Sequence, residues 1–330
     1  MRAICRFASQ FLTPRRRSLS ATNMSNIPHL DAGGDLPVLS GFSEIADSYD
    51  VVLSDIWGVV HNGREHFPQA CAALRKFRDK GGVVVLVTNA PRPFPPILEQ
   101  LDLLGAPRDC FDEVVTSGDV TLNFVAAHGM KPVYHIGPPR DLTFFSIMEQ
   151  QIGHRPPSVG LDEAEYVLCT GLFDDNHAPE HYIPELEKMR ARGMEFICAN
   201  PDLVVHVGDQ MLWCAGAVAE RYEQMGGLVR QAGKPFAPIY DRALEMAAAR
   251  LGRPVDMSRV VAIGDAIRTD VKGACDRGLD ALFVTSGIHR DELHPQAQPG
   301  APGPLDVDAM RAMVREAGVR PKAAISSLVW

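Results

Sequence analysis

Four short segments of this 330-residue chain carry side chains suited to phosphoryl chemistry. The apolar run Val51-Val52-Leu53-Ser54 leads into Asp55, which opens DIWGVVHNG. Val83–Val87 leads into Thr88-Asn89, and Val260–Ile263 leads into Gly264-Asp265, which opens GDAIRTDV. Between these last two lies Gly233-Lys234-Pro235, just ahead of a helical pattern. Asp270 adds a third carboxylate five residues after Asp265. A carboxylate can attack a phosphoryl group and form an aspartyl-phosphate. Two anions repel, so a Mg²⁺ is needed between nucleophile and phosphate, and that ion takes oxygen ligands. Asp55 and Asp265 offer such oxygens, as does the backbone carbonyl two residues after Asp55, on Trp57. Thr88 and the neighbouring Asn89 are placed to hold phosphoryl oxygens, and Lys234 to offset charge in the transition state. Alone, each residue has a plainer use, as a turn former, a helix cap or a solvated lysine. Their order at successive strand ends is what makes them a site.

The elements that must position them are legible as apolar runs and helical patterns. Strands are expected at Val51–Asp55, Val83–Thr88, Glu113–Thr116, Pro132–Ile136, Tyr166–Cys169, Glu195–Ala199, Val260–Asp265 and Ala281–Thr285. They do not alternate with polar residues, as befits strands buried on both faces. Helices are expected at Phe67–Lys80, Pro96–Leu104, Ser117–His128, Pro238–Leu251, Thr269–Arg277 and Asp306–Ala317, with Ser117 and Thr269 as caps. The closing ISSLVW could return to the body as a short strand. Alternating β and α implies a parallel sheet with helices on both faces, and such sheets bind ligands at the carboxyl ends of their strands.

Composition narrows the class. Apolar residues make up 46% and charged residues 22%, a globular profile. The net charge of −8 comes without a basic stripe, which argues against a nucleic-acid partner. No apolar run is long enough to span a membrane. The seven cysteines form no CxxC pair, so zinc ribbons and thioredoxin-like redox sites are not expected. Residues 1–30 differ from the rest: they hold five arginines and no acid, like an organelle transit peptide or an over-extended start ahead of Met24. A cytoplasmic location is the expectation, with a mitochondrion or plastid as the alternative if that leader is genuine.

Together, Asp55 with Gly58-Val59, Thr88-Asn89, Gly233-Lys234-Pro235 and Gly264-Asp265 with Thr269-Asp270 resemble the four motifs of the haloacid dehalogenase (HAD) superfamily. The match is to subfamily IIA, the NagD-like and p-nitrophenyl phosphatase-like hydrolases. Ala199-Asn200-Pro201-Asp202 resembles the segment that closes the cap of these enzymes. The resemblance spans roughly residues 45–292. It implies a Rossmann-like parallel-sheet core with an inserted α/β cap of the C2 type. It also implies Mg²⁺, a phosphoenzyme on Asp55, a small phosphorylated metabolite as substrate and a homodimer formed through the cap. The expected division is a leader at 1–28, a core at 29–125 and 215–293, a cap at 126–214, and a Pro/Gly linker with a helix or strand at 294–330.

One position departs from the pattern. Phosphatases of this group read Asp-x-Asp, where the second Asp protonates the leaving alkoxide and activates water. Here that residue is Trp57, which keeps a backbone carbonyl for the metal but cannot exchange protons. His61, on the same loop, is one substitute, because imidazole titrates near neutrality. A non-catalytic phospholigand binder is a second outcome. A dehalogenase-like hydrolase is a third, disfavoured by the retained Asp265 and Asp270. Candidate substrate contacts are Arg92, the stretch Leu172-Phe173-Asp174-Asp175, and His206, Asp209 and Trp213.

Overall fold

The computed structural model describes residues 36–207, 210–296 and 303–330. The basic leader and Asp209 lie outside the described residues, as does the middle of the 294–305 linker, 297–302. Among the described residues, thirteen strands form three sheets. They are β1 Val38–Leu39, β2 Val51–Ser54, β3 Val83–Thr88, β4 Glu113–Thr116, β5 Val133–Ile136, β6 Tyr166–Cys169 and β7 Glu195–Cys198. Then come β8 Val204–Val207, β9 Gln210–Trp213, β10 Leu228–Gln231, β11 Val260–Gly264, β12 Asp280–Val284 and β13 Ala323–Ile325.

The larger sheet runs β1-β13-β12-β11-β2-β3-β4, with every pair parallel. Successive residues along a strand point to opposite faces, so a run without polar residues feeds two cores at once. Val52, Val84, Leu86, Ile263 and Leu282 pack on one face with Leu74, Phe77 and Leu101. Val51, Leu53, Val85, Ala262 and Phe283 pack on the other with Ile239, Tyr240 and Ala243. Each fully buried side chain of this size contributes about 1.5–3 kcal/mol, so both faces anchor the strand ends firmly.

All eight expected strands are present, with ends within a residue. The C-terminal return is a strand too, although it lies at Ala323–Ile325 and overlaps ISSLVW only at Ile325. Beyond it, Val329 accepts the Phe42 N–H at 2.8 Å, and Trp330 meets the Phe42 ring edge-on at 6.1 Å. Unexpected are β1, the β8–β9 hairpin and β10. Leu228–Gln231 has one exposed apolar end and a charge in its middle, so it does not read as a buried strand. Among the described residues it is an edge strand, paired with β7 alone.

The smaller sheet runs β10-β7-β6-β5, again all parallel. The helix Ala215–Gln224 packs on it through Val218, Ala219 and Tyr222, beside Phe196 and Cys198. The expected inserted segment, 126–214, therefore stops short of two elements that belong to this sheet, the helix at 215–224 and the strand at 228–231.

Two expected helix caps are displaced by one or more residues. Thr116, not Ser117, caps the helix Ser117–Ala126: its hydroxyl accepts the Asp119 N–H at 2.9 Å, and the Asp119 carboxylate accepts the Thr116 N–H at 2.9 Å. That reciprocal pair satisfies two otherwise orphaned donors. Thr269 sits inside a wide helical turn, Ile267–Val271, rather than ahead of it. There the Asp270 carboxylate turns back to accept the Ala266 N–H at 3.1 Å. Asp306 does cap its helix, Val307–Glu316, through the Ala309 N–H at 2.9 Å.

Candidate active site

Asp55 follows β2 and Asp265 follows β11, and these strands are neighbours with Ser54 opposite Ile263. The Asp55 N–H donates to the Ile263 carbonyl at 2.8 Å, so the register alone brings the two carboxylates together. Oxygens of Asp55, Asp265 and Asp270 lie within 4.8 Å of one another, the one such cluster among the described residues. All three residues are buried. Glycines permit the crowding. A Cβ on Gly58 or Gly287 would run into the Asp265 carboxylate, and one on Gly264 into Asp270. Gly58 also has φ +75°, a conformation that side chains disfavour. Gly58→Ala is therefore expected to cost roughly 1–3 kcal/mol of stability and to abolish stabilisation by an added divalent cation. Thermal melts with and without the cation check both effects.

Lys234 sits among these carboxylates, with Nζ 2.6 Å from Asp55 Oδ1 and 2.7 Å from Asp270 Oδ1. Burial alone would lower its pKa, but Asp270, Asp55 and Asp202 more than reverse this, so the ammonium stays charged. It does not follow a strand of the larger sheet, as four features at one sheet's mouth would require. It follows β10, so the smaller sheet delivers it. The carboxyl ends of the two sheets therefore meet at one place.

The negative charge is under-compensated. Burial, then repulsion from Asp270, raises Asp55 to about 7 despite its contact with Lys234. Burial and the Asp55 charge push Asp265 well above its ordinary value, against one compensating bond, from the Ile288 N–H to Oδ2 at 2.7 Å. A buried, oxygen-only set with surplus negative charge fits a hard divalent cation. The bonds that close the loop after Asp55 use the Ile56 and His61 carbonyls, which leaves that of Trp57 uncommitted.

Thr88 ends β3, and its hydroxyl oxygen accepts the Ala90 N–H at 3.2 Å. Its proton remains available to an incoming oxygen. Asn89 departs from expectation, because its side chain is spent on scaffolding. Its amide donates to Asp202 Oδ1 at 2.8 Å and to the Lys234 carbonyl at 3.0 Å, while its oxygen accepts the Lys234 N–H at 2.7 Å. Only the Asn89 backbone is left for phosphate.

His61 does not fit a proton-transfer role. It has no exposed surface, its Nδ1 accepts the Gly63 N–H at 3.0 Å, and burial lowers it to about 4. Its Nε2 is buried without a partner. The Trp57 ring stands edge-on to it at 4.7 Å and covers Gly63. Both rings thus form a packed wall rather than a relay.

The other candidate contacts scatter. Leu172 is core of the smaller sheet, and Asp175 pairs with Arg140 at 2.7 Å. Phe173 and Trp213 are exposed, as is His206 on the β8–β9 hairpin. Asp174 accepts the Asn176 N–H at 2.8 Å. Arg92 reaches a buried acid of the smaller layer, Asp141, at 3.7 Å. The residue given no chemical role from sequence is Asp202, which the Asn200-Pro201-Asp202 turn carries to the rim of the cluster. Its signal was present as a motif, but only the meeting of the sheets gives it neighbours.

Known proteins carry the same plan. The model for haloacid dehalogenase-like hydrolases matches residues 52–148, and a HAD-hydrolase-like model matches residues 231–305. A hydrolase of the haloacid dehalogenase-like family from Brucella suis 1330 superposes with a TM-score of 0.76 at 42% identity, over 89% of this chain and 100% of that one. The 5'-nucleotidase YutF of Bacillus subtilis is 24% identical over 251 residues, 74% of this chain and 90% of its own. The ribonucleotide monophosphatase NagD of Escherichia coli K12 is 26% identical over 248 residues, 72% of this chain and 88% of its own. The chain belongs to the haloacid dehalogenase-like hydrolases, in their NagD-like subfamily IIA, with a parallel-sheet core and an α/β cap.

Proposed function

We propose that this hydrolase cleaves small phosphate monoesters through a phosphoenzyme on Asp55, with Mg²⁺ as cofactor. The carrying observation is the buried cluster Asp55, Asp265 and Asp270 around Lys234, at the carboxyl ends of both sheets. The names of the relatives, 5'-nucleotidase for YutF and ribonucleotide monophosphatase for NagD, support the substrate class. Asp55 and Asp265, with the Trp57 carbonyl, would hold the ion, and Asp270 would ligate it or orient Lys234. Bound there, Mg²⁺ supplies charge neutralisation between two anions.

The chain's own residues divide the rest. Asp55 is the nucleophile. The Ile56 N–H donates to its Oδ1 at 2.7 Å and aims the carboxylate. Lys234 shields the incoming phosphate from the carboxylates, and the Thr88 hydroxyl donates to a phosphoryl oxygen. The ester's leaving group then faces the cap, whose strand ends close over the cluster. Cap elements would select the metabolite and, in a homodimer, meet a second copy.

The test is hydrolysis of p-nitrophenyl phosphate with Mg²⁺ and with EDTA. Turnover that EDTA removes and Mg²⁺ restores is the expected result. Turnover that survives EDTA would point to a metal-free hydrolase. No turnover, with Mg²⁺ still raising the melting temperature, would point to a phospholigand-binding protein.

A further inference from the structure

Hydrolysis of an alkyl phosphate through Asp55 needs two proton transfers. The leaving oxygen must gain a proton, and the water that later attacks must lose one. Trp57 cannot do this, and His61 is walled in behind it, with Nδ1 on the Gly63 N–H. Asp55, Asp265 and Asp270 are committed to nucleophile and cation. Lys234 is held charged between two carboxylates.

One acid near the cluster is uncommitted. Asp202 follows β7 of the cap in a turn fixed from both sides. Its own N–H donates to Asn200 Oδ1 at 3.0 Å. A Cβ on Gly216 would strike the Pro201 and Asp202 carbonyls, so the turn lies flat on the helix below. The Pro201 ring abuts Gly233, next to Lys234. Asn89 completes the frame, because one amide group donates both to Asp202 Oδ1 and to the Lys234 carbonyl. No described donor reaches Asp202 Oδ2, so one carboxyl oxygen is free to work.

Lys234, Asp270 and Arg268 bear electrostatically on the Asp202 carboxyl, and Asp202 bears on Asp55 and on the Cys198 and Cys214 thiols. Burial outweighs Lys234 and the Asn89 bond and raises this carboxyl to about 6. A group near that value is populated in both forms around neutrality, as an acid that must also act as base requires.

We propose that Asp202, carried on the cap, performs the proton transfers that Trp57 cannot. This rests on the phosphatase reading above. In the first step the Asp202 carboxylic acid gives its proton to the ester oxygen. The P–O bond breaks while the bond from Asp55 to phosphorus forms, and the alcohol leaves. In the second step the Asp202 carboxylate takes a proton from water as it attacks phosphorus. The bond from Asp55 to phosphorus breaks, inorganic phosphate leaves, and Asp202 is again protonated. The proton donor is then present only where cap and core meet.

The test is rapid-mixing kinetics of the full chain with Mg²⁺, comparing wild type with Asp202→Asn. Asn keeps the size and can still accept from Asn89. With p-nitrophenyl phosphate, whose leaving group needs no acid, the variant should release a burst of about one p-nitrophenolate per chain. Its steady-state rate should then be roughly 10²–10⁴ lower than wild type, with phosphoenzyme accumulating. With an alkyl phosphate it should show neither burst nor accumulation. Asp202→Glu should recover part of the second step, and it carries the test if Asp202→Asn does not fold. Steady turnover within a few-fold of wild type would overturn the assignment. Loss of the burst together with turnover would also overturn it, since that marks a residue that only positions Asn89 and Lys234. A wild type inert toward both esters would overturn the phosphatase reading itself, and this assignment with it.

Discussion

Lys234→Met should destabilise the metal-free protein by about 3–5 kcal/mol and remove measurable turnover. Methionine approximates the length of the lysine stem, so the loss isolates the charge. Lys234 has 4% of its surface exposed and touches both Asp55 and Asp270. Without it those carboxylates keep their burial and lose their only ammonium. The cost is that of buried anions left facing one another, not the worth of one ion pair. Urea unfolding in EDTA measures it. Saturating Mg²⁺ should recover part of the stability, because a cation substitutes for the missing charge, yet should not recover turnover. Full stability of the variant in EDTA would show that the carboxylates are held by other means.

Asp55→Asn should have the opposite sign in stability while lowering turnover by about 10⁴-fold or more. The amide cannot attack phosphorus. It also removes one anion from a crowd with too many. The Asp55 carboxyl is raised to about 7 in the folded protein, against an ordinary value of 3.8. A raised folded-state pKa means that the native state holds the proton where the unfolded chain has released it. Its contribution to stability is thus complete below about pH 4 and is lost as pH rises through about 7. In EDTA the wild type should therefore lose stability between those values, by about 1.4 kcal/mol per pH unit for each proton involved. Asp55→Asn should flatten that slope and be the more stable protein at pH 8. With Mg²⁺ the wild-type slope should also flatten, since the cation favours the ionised carboxylate. Melting curves from pH 4 to 8, with EDTA and with Mg²⁺, check all three expectations. An equal slope in the variant would mean that Asp55 is not the titrating group.

Most of what builds the core was open to reading from sequence, for a local reason. A strand buried on both faces has to be continuously apolar, and the residue that ends it has to be polar if it meets a ligand. The apolar runs Val51–Leu53 ahead of Ser54-Asp55, Val83–Val87 ahead of Thr88 and Val260–Ile263 ahead of Gly264-Asp265 follow this rule. The parallel register, with Ser54 beside Ile263, then puts Asp55 next to Asp265 with no further information.

Side-chain duties were less legible, because they depend on partners far along the chain. Asn89 looks like a phosphate ligand, yet Lys234 and Asp202 claim its amide from 145 and 113 residues away. His61 looks titratable, but the packing of Trp57 and the loop around it keeps it neutral. The edge strand at Leu228–Gln231 carries Arg230 and has no apolar signature, and only pairing with Glu195–Cys198 makes it a strand.

By itself, then, the sequence determined the parallel core and the order of its four chemical segments, because burial on two faces and polar strand ends are properties of contiguous residues. Only the tertiary structure decided that Lys234 and Asp202 arrive from the second sheet, that Asn89 is a brace, and that Trp57 and His61 form a wall. Those outcomes depend on which strand ends face each other across a cleft, and segments more than a hundred residues apart encode that jointly, through packing.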